Sequence, residues 1–262
     1  MGLPRFPEGS PVRIEELEGG AVWRVLLATP KANVLDAAKI RLLTDVFAAA
    51  GDDKGLKAVL LEGEGPNFSF GASVEEHLPG SFAEMLRGFH GLFHEMLDAA
   101  VPVVSAVRGR CLGGGMELAV FANRVFASPG AVFGQPEIVL GVFPPVASVF
   151  LTERIGRGLA EDICLGGRDL SGEEAAAHGL ADACAEDPEA AALEWIRDRL
   201  LPKSAASLRM GVRALRAGMG ARFRRDLAEA ERLYVEELMK LEDPVEGLQA
   251  FLEKRKPEWR NA

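Results

Sequence analysis

The chain has few cysteines, no nucleotide-binding loop and no long apolar run, and each scarcity removes a class of protein. Three cysteines, Cys111, Cys164 and Cys184, are spread through 262 residues. They are too few and too scattered for a disulfide framework or a zinc ribbon, which fits a reducing compartment. Cys164 and Cys184 read as small core residues. There is no GxxxxGK[ST] segment and no GxGxxG after a strand, so nucleoside triphosphate and dinucleotide sites lose their main support. The longest uncharged apolar run near the middle, 99–107, falls far short of the ~20 residues of a membrane span and contains Pro102. The amino terminus, MGLPRFPEGSP, has no apolar leader core, and Phe6 stands where a myristoylation signal wants Ser or Thr. Basic charge is also short: 30 Lys and Arg against 39 Asp and Glu give a net charge of −9. That argues against general attraction to nucleic acid or an anionic membrane. The expectation is a cytoplasmic protein with neither as a partner.

What is present is an ordinary globule. A hydrophobic fraction of 48% with 26% charged residues excludes disorder and collagen, and the length suffices for a sizeable core. Two strand-like stretches, 12–17 and 21–28, flank the turn pair Gly19-Gly20. Segment 36–50 reads as a helix with Ile40, Leu43 and Phe47 on one stripe, stopped by Gly51. A strand at 57–62, a glycine-punctuated loop at 63–72 and a helix at 81–100 with Ser81 as N-cap follow. The pattern continues with a strand at 103–107, a loop at 108–113, a helix through 116–122 and short strands at 124–127 and 132–133. Beyond a proline-broken connection at 134–145, helical patterns dominate: 173–178, 190–201, 204–217, 221–241 and 245–254. Strand–helix alternation gives way to helices alone near residue 200, so an α/β core (1–200) and a helical C-terminal region (201–262) are predicted.

Candidate chemistry sits in a few places. His90 and His94 have i, i+4 spacing, but HGLFHE is not HExxH and no third ligand is evident, so ordinary helix histidines are expected and no metal site. Gly71-Ala72-Ser73-Val74-Glu75 almost spells a nucleophile elbow, with Glu75 where Gly is required. Three glycines, Gly113 to Gly115, directly before an apolar helix are costly unless backbone must approach something closely. Unpaired N–H groups there suit a developing oxyanion, with Glu117 one turn in; a tight strand-to-helix turn explains the same residues. Glu137 lies in an apolar loop, FGQPEI, where it is either a solvated loop residue or a carboxyl of raised pKa suited to acid–base work.

At these residues the sequence resembles the enoyl-CoA hydratase/isomerase (crotonase) superfamily over nearly its whole length. The matching pieces occur in family order: TPKANVLD at 29–36, FSFGAS at 68–73, RCLGGGMELA at 110–119, FGQPEIVLGVFP at 133–144 and EGLQAFLEKRKPEW at 246–259. The resemblance implies an α/β fold, a spiral of ββα units whose C-terminal helices drive assembly as a trimer or a dimer of trimers. It implies that the amides of Ala72 and Gly114 hold a thioester carbonyl, with Glu117 and Glu137 as the acid–base pair. It further implies that Lys31, Ala32 and Val34 line the coenzyme A path, and that Phe251 and Lys254 approach its nucleotide end from a neighbouring subunit. Coenzyme A would be part of the substrate, and no separate cofactor is implied.

Two departures from the family pattern bear on substrate. Ser73 follows Gly71-Ala72 where many hydratases carry Asp, and Pro144-Pro145-Val146-Ala147-Ser148 replaces a glycine-rich stretch. Pro145 has no N–H to offer. These segments look most like the subgroup that hydrates cyclohexa-1,5-diene-1-carbonyl-CoA in anaerobic breakdown of aromatic acids. A general enoyl-CoA hydratase/isomerase, an acyl-CoA hydrolase on the same fold and a noncatalytic CoA-binding protein are the alternatives. Retention of both glutamates favours hydration.

Overall fold

The computed structural model of the chain describes residues 3–262. Met1 and Gly2, the start of the segment inspected for a leader, lie outside the described residues. β1 (Val12–Leu17) and β2 (Val22–Leu27) are joined through a 3-10 turn at Glu18–Gly20, and α1 (Ala37–Asp52) follows. Then come β3 (Ala58–Gly63), α2 (Phe82–Ala99), β4 (Val103–Val107), β5 (Arg110–Leu112), α3 (Gly114–Val120), β6 (Arg124–Ala127) and β7 (Val132–Gly134). The remainder is mostly helix: α4 (Pro145–Ile155), α5 (Arg157–Gly166), α6 (Gly172–Ala177), α7 (Pro188–Arg199), α8 (Ala205–Arg232) and α9 (Glu242–Leu252), with two-residue strands β8 (Leu170–Ser171) and β9 (Ala183–Cys184) between them.

The main sheet has the order β1-β2-β3-β4-β6-β9, antiparallel between β1 and β2 and parallel throughout the rest. A second sheet, β5-β7-β8, is parallel then antiparallel. The twofold period of the strands assigns their side chains to two cores. Trp23, Val25, Val59, Leu61, Val103 and Val107 face α1, α2 and α3 in the larger cluster. Val22, Ala58, Leu60, Val104 and Ala106 face Ala192, Ile196 and Leu200 at the other side, where α7 lies. Both faces are covered, which is why these strands read as apolar runs rather than alternating ones.

Asp36 caps α1, accepting the Lys39 N–H at 2.8 Å. Ser81 occupies the N-cap position of α2, but its side chain makes no capping hydrogen bond. The loop expected at 108–113 contains β5, because pairing with β7 captures its backbone. Segments 204–217 and 221–241, predicted as separate helices, are one 28-residue helix, α8, continued by a π-turn at Leu233–Glu237. The glycines that suggest a break are tolerated there: a Cβ on Gly220 would make ordinary contact, 3.7 Å, with Leu97 of α2. Cys164 is buried as expected, whereas Cys184 is exposed, lying on the short terminal strand of the sheet rather than in the core.

The C-terminal helices contribute Phe223, Leu227, Tyr234 and Leu248 to the larger core cluster. Arg209 of α8 is buried and donates to the carbonyls of Ala50, Gly51 and Asp53 at the end of α1 and of Ala99 at the end of α2. One guanidinium thus serves the carbonyl ends of two helices, where a cation is favoured by the helix dipole. Among the described residues no helix is long and apolar enough to cross a membrane.

Candidate active site

The site forms where the glycine-punctuated loop after β3 meets the start of α3. The backbone of that loop is fixed on two sides. Ser69 N–H donates to Arg110 O and Leu112 N–H donates back to Ser69 O. Leu35 N–H donates to Gly71 O, and Ser73 N–H donates to Leu35 O. These last two bonds make a parallel bridge centred on Ala72, so the Ala72 amide points away from its partner segment. Gly114 opens α3, and its amide has no earlier helical carbonyl to use. A Cβ on Gly114 would lie 3.4 Å from Ala72 N and 2.9 Å from Phe89 Cζ, so glycine at 114 leaves the Phe89 ring in place where the two backbones meet. Among the described residues neither amide donates to an acceptor. Two unengaged N–H groups side by side are what a developing oxyanion requires.

Glu117 stands in the first turn of α3, 2% exposed. Its Oε1 accepts the Ala147 N–H at 2.7 Å, from the start of α4, and the Val146 amide also favours its ionised form. Burial outweighs both and pushes the carboxyl up to about 7. Glu137 sits half-buried in the 3-10 turn Pro136–Leu140. Burial first, and the Glu117 charge second, raise its pKa well above the ordinary carboxylate range. Gly113 lies against Glu137: its φ is +51°, and a Cβ there would fall 2.5 Å from Glu137 Oε1, while its carbonyl accepts the Glu117 N–H at 2.9 Å. The fully buried Gln135 sets its side-chain amide against the Glu137 carboxyl, one of its polar atoms lying 2.9 Å from Oε2 and 3.3 Å from Oε1. Sequence reasoning quoted Gln135 within its motif without assigning it a task; its only signal was a polar residue in an apolar stretch.

A cavity of about 300 Å³ opens onto this region, with Gly71, Ala72, Gly113, Glu137 and His77 in its lining and Leu248 and Phe251 of α9 closing one side. Phe251, expected from a neighbouring subunit, therefore lines the cavity of its own chain, because α9 folds back on the turn that carries Glu137. Lys254 is exposed just beyond α9. Lys31, Ala32 and Val34 are on the adjacent loop, held to the site by the Phe70 N–H donating to Ala32 O, but outside the cavity lining. A larger hollow of about 670 Å³ between α1 and α2 contains neither the free amides nor the glutamates.

Other candidates resolve structurally. Ser73 Oγ donates to Glu75, and a bridge followed by a 3-10 turn replaces the strand-to-helix bend of an elbow. His90 is buried with Nδ1 2.5 Å from Glu231 Oε2, so it joins α2 to α8. Among the described residues no three metal-capable side chains gather. What the site can do chemically is polarise a carbonyl with two amides and move a proton through either of two carboxyls whose environments differ.

Comparison with known proteins supports the same chemistry. The enoyl-CoA hydratase/isomerase family description matches residues 18–262. The chain is 50% identical over 252 residues to a cyclohexa-1,5-dienecarbonyl-CoA hydratase of Thauera aromatica, covering 96% of this chain and 98% of that protein. It is 34% identical to a probable enoyl-CoA hydratase of Rhizobium meliloti, covering 92% and 95% of the two chains. An enoyl-CoA hydratase structure from Mycobacterium avium subsp. paratuberculosis superposes with a TM-score of 0.83 at 26% identity, over 95% of this chain and 98% of that one.

Proposed function

The chain belongs to the enoyl-CoA hydratase/isomerase family, and from that membership we propose that it adds water to cyclohexa-1,5-diene-1-carbonyl-CoA in the anaerobic breakdown of aromatic acids. It is an enzyme, a hydro-lyase of the enoyl-CoA hydratase type. The observation that carries the chemistry is the Glu137 carboxyl lying against Gly113 at the start of α3, the helix that bears Glu117, beside the free amides of Ala72 and Gly114. The ring substrate rests on the 50% identity to the Thauera aromatica hydratase.

In this reading the thioester oxygen lies between the Ala72 and Gly114 amides. Glu117, with two amides favouring its carboxylate, is the base: it takes a proton from water as the water oxygen bonds to the conjugated carbon. The displaced electron pair moves through the diene to the thioester oxygen, where the amides hold it. Glu137, kept protonated by burial and by the Glu117 charge, is the acid that delivers a proton to carbon. A proton passing between the two carboxyls restores the resting state. Conjugation lengthens the electron sink without needing a second oxyanion site.

Lys31, Ala32 and Val34 line the coenzyme A path, and Phe251 and Lys254 serve its nucleotide end. Coenzyme A is part of the substrate, and no separate cofactor is required. The helical region 201–262 packs subunits into a trimer or a dimer of trimers, in the cytoplasm and without nucleic acid or membrane partners. The test is a turnover assay by mass spectrometry with crotonyl-CoA and cyclohexa-1,5-diene-1-carbonyl-CoA side by side. Gain of one water on the cyclic diene, lost in Glu137→Gln, is the expected result. Hydration of crotonyl-CoA alone would overturn the ring substrate and leave a general enoyl-CoA hydratase.

A further inference from the structure

The Ala72 amide belongs to the peptide unit Gly71–Ala72, and a trans peptide carries its C=O and N–H on opposite sides. Gly71 O accepts the Leu35 N–H at 2.9 Å, and this bond turns the Ala72 N–H away from Leu35. The aim of that N–H therefore depends on the backbone at Gly71, whose φ of +97° is outside the range of a strand or a helix. The preceding peptide unit is set by a side chain. Gly71 N–H donates to Ser69 Oγ at 3.1 Å, and Ser69 Oγ donates to Asn33 O at 2.9 Å. With the hydroxyl proton committed to Asn33 O, a lone pair is left for Gly71. Ser69 and Asn33 are fully buried, so bulk water does not compete for these bonds. The acceptor is itself fixed. Asn33, at a φ of +45°, accepts the Thr29 N–H through Oδ1 at 3.0 Å and donates through Nδ2 to Glu64 O and Asn67 O at 3.0 and 2.9 Å. Ser69 also stands against the other half of the amide pair: a Cβ on Gly115, next to Gly114, would fall 2.5 Å from Ser69 Cβ.

We propose that Ser69 is a positioning residue for the Ala72 amide: its hydroxyl holds the Gly71 N–H and so keeps the Gly71–Ala72 peptide aimed at the thioester oxygen. Removing the hydroxyl takes the acceptor from a buried N–H, and rotation about Gly71 is the way for that N–H to find another. The same rotation swings the Ala72 N–H off the oxyanion. An oxyanion donor gains most when charge develops on the oxygen, so misaiming it slows the step more than it weakens binding. This rests on the reading of Ala72 and Gly114 as the donors to the thioester.

The test is Ser69→Ala. Losing an oxyanion donor outright costs ~10²–10³ in kcat, so a misaimed one should cost ~10–10² on the thioester that is hydrated, with KM changed little. Lowered stability alone does not alter how a bound carbonyl vibrates, so the deciding readout is the infrared band of a thioester carrying ¹³C at its carbonyl. Butyryl-CoA and cyclohexanecarbonyl-CoA serve as probes, since neither has a double bond to hydrate. Hydrogen bonds from the two amides should lower the carbonyl frequency on binding to the wild-type protein, and Ser69→Ala should lose part of that shift. Ser69→Cys, which keeps a weaker donor and acceptor at the same place, should fall between the two in both measurements and supplies them if the alanine variant does not fold. A folded variant with wild-type kcat, or with a lower kcat and the full carbonyl shift, overturns the proposal. If neither thioester's band moves in the wild-type protein, the oxyanion reading itself fails, and the role of Ser69 falls with it.

Discussion

The Ala147 amide donates to Glu117 Oε1 at 2.7 Å, and this bond distinguishes the two carboxyls of the site. Glu117 has backbone donors that favour its charge; Glu137 has burial and a facing negative charge that oppose its own. In the proposed mechanism each carboxyl therefore has a task of its own. Glu117→Gln and Glu137→Gln should each lower kcat by ~10²–10⁴ with KM changed little, because amides of the same shape keep the cavity but move no proton. Steady-state kinetics on the two variants checks this. A Ser73→Ala variant that abolishes activity while Glu137→Gln does little would return the site to a nucleophilic hydrolase.

The same difference fixes the direction of the pH response. Below about pH 7 Glu117 takes up a proton and stops acting as a base, so kcat/KM should fall toward acid. At higher pH Glu137 loses the proton it must deliver, and the rate should fall again. For folding, the sign is opposite to that of an ordinary paired carboxylate. Both pKa values are raised in the folded state, so the protonated forms favour folding below the unfolded value and that contribution is lost as pH rises through the folded values. Glu137→Gln should therefore be more heat-stable than the wild type at pH 8, with the advantage vanishing near pH 4. Thermal unfolding at the two pH values reads it directly.

Gly113 is where backbone freedom and chemistry coincide. Its φ of +51° disfavours any side chain by ~1–2 kcal/mol, and a Cβ would stand 2.5 Å from Glu137 Oε1. Gly113→Ala should fold, displace the acid and cost about 10² in kcat, the penalty expected of a reacting group moved by about an ångström. Wild-type kcat in a folded variant would show that Glu137 needs no such contact.

Much of this was legible beforehand, for identifiable reasons. The triple glycine announced close backbone approach: a Cβ on Gly113 would meet Glu137 Oε1 at 2.5 Å, and one on Gly115 would meet Ser69 Cβ at 2.5 Å. Glu117 and Glu137 stood out as carboxyls in apolar surroundings. Capture of β5 by β7 was hidden, since three residues carry no period of their own. The continuity of α8 was hidden because glycine is read as a breaker whether or not a neighbour such as Leu97 packs over it. The seat of Phe251 in the cavity of its own chain was hidden because sequence gives no direction for the return of α9.

Arg209 provides a test of how the C-terminal region is tied to α1 and α2. Its guanidinium donates to Ala50 O at 2.8 Å, Gly51 O at 3.2 Å and Ala99 O at 3.0 Å, and to Asp53 O as well. A planar fork of five donors can meet carbonyls from two converging helix ends, whereas an ammonium cannot span them. Arg209→Met removes every donor and leaves the buried carbonyls of Ala50 and Ala99 unpaired, which should cost on the order of 3 kcal/mol. Arg209→Lys should recover only part of that loss, because its three donors lie on one nitrogen. The carboxyls of the site lie on α3 and the 3-10 turn, outside the Arg209 contacts, so kcat of the folded fraction should stay near the wild-type value. Chemical denaturation of the three proteins, with kcat measured well below the transition, separates the outcomes. A full recovery by lysine would mean that charge at the helix ends, not the fork of hydrogen bonds, secures α8 to the core.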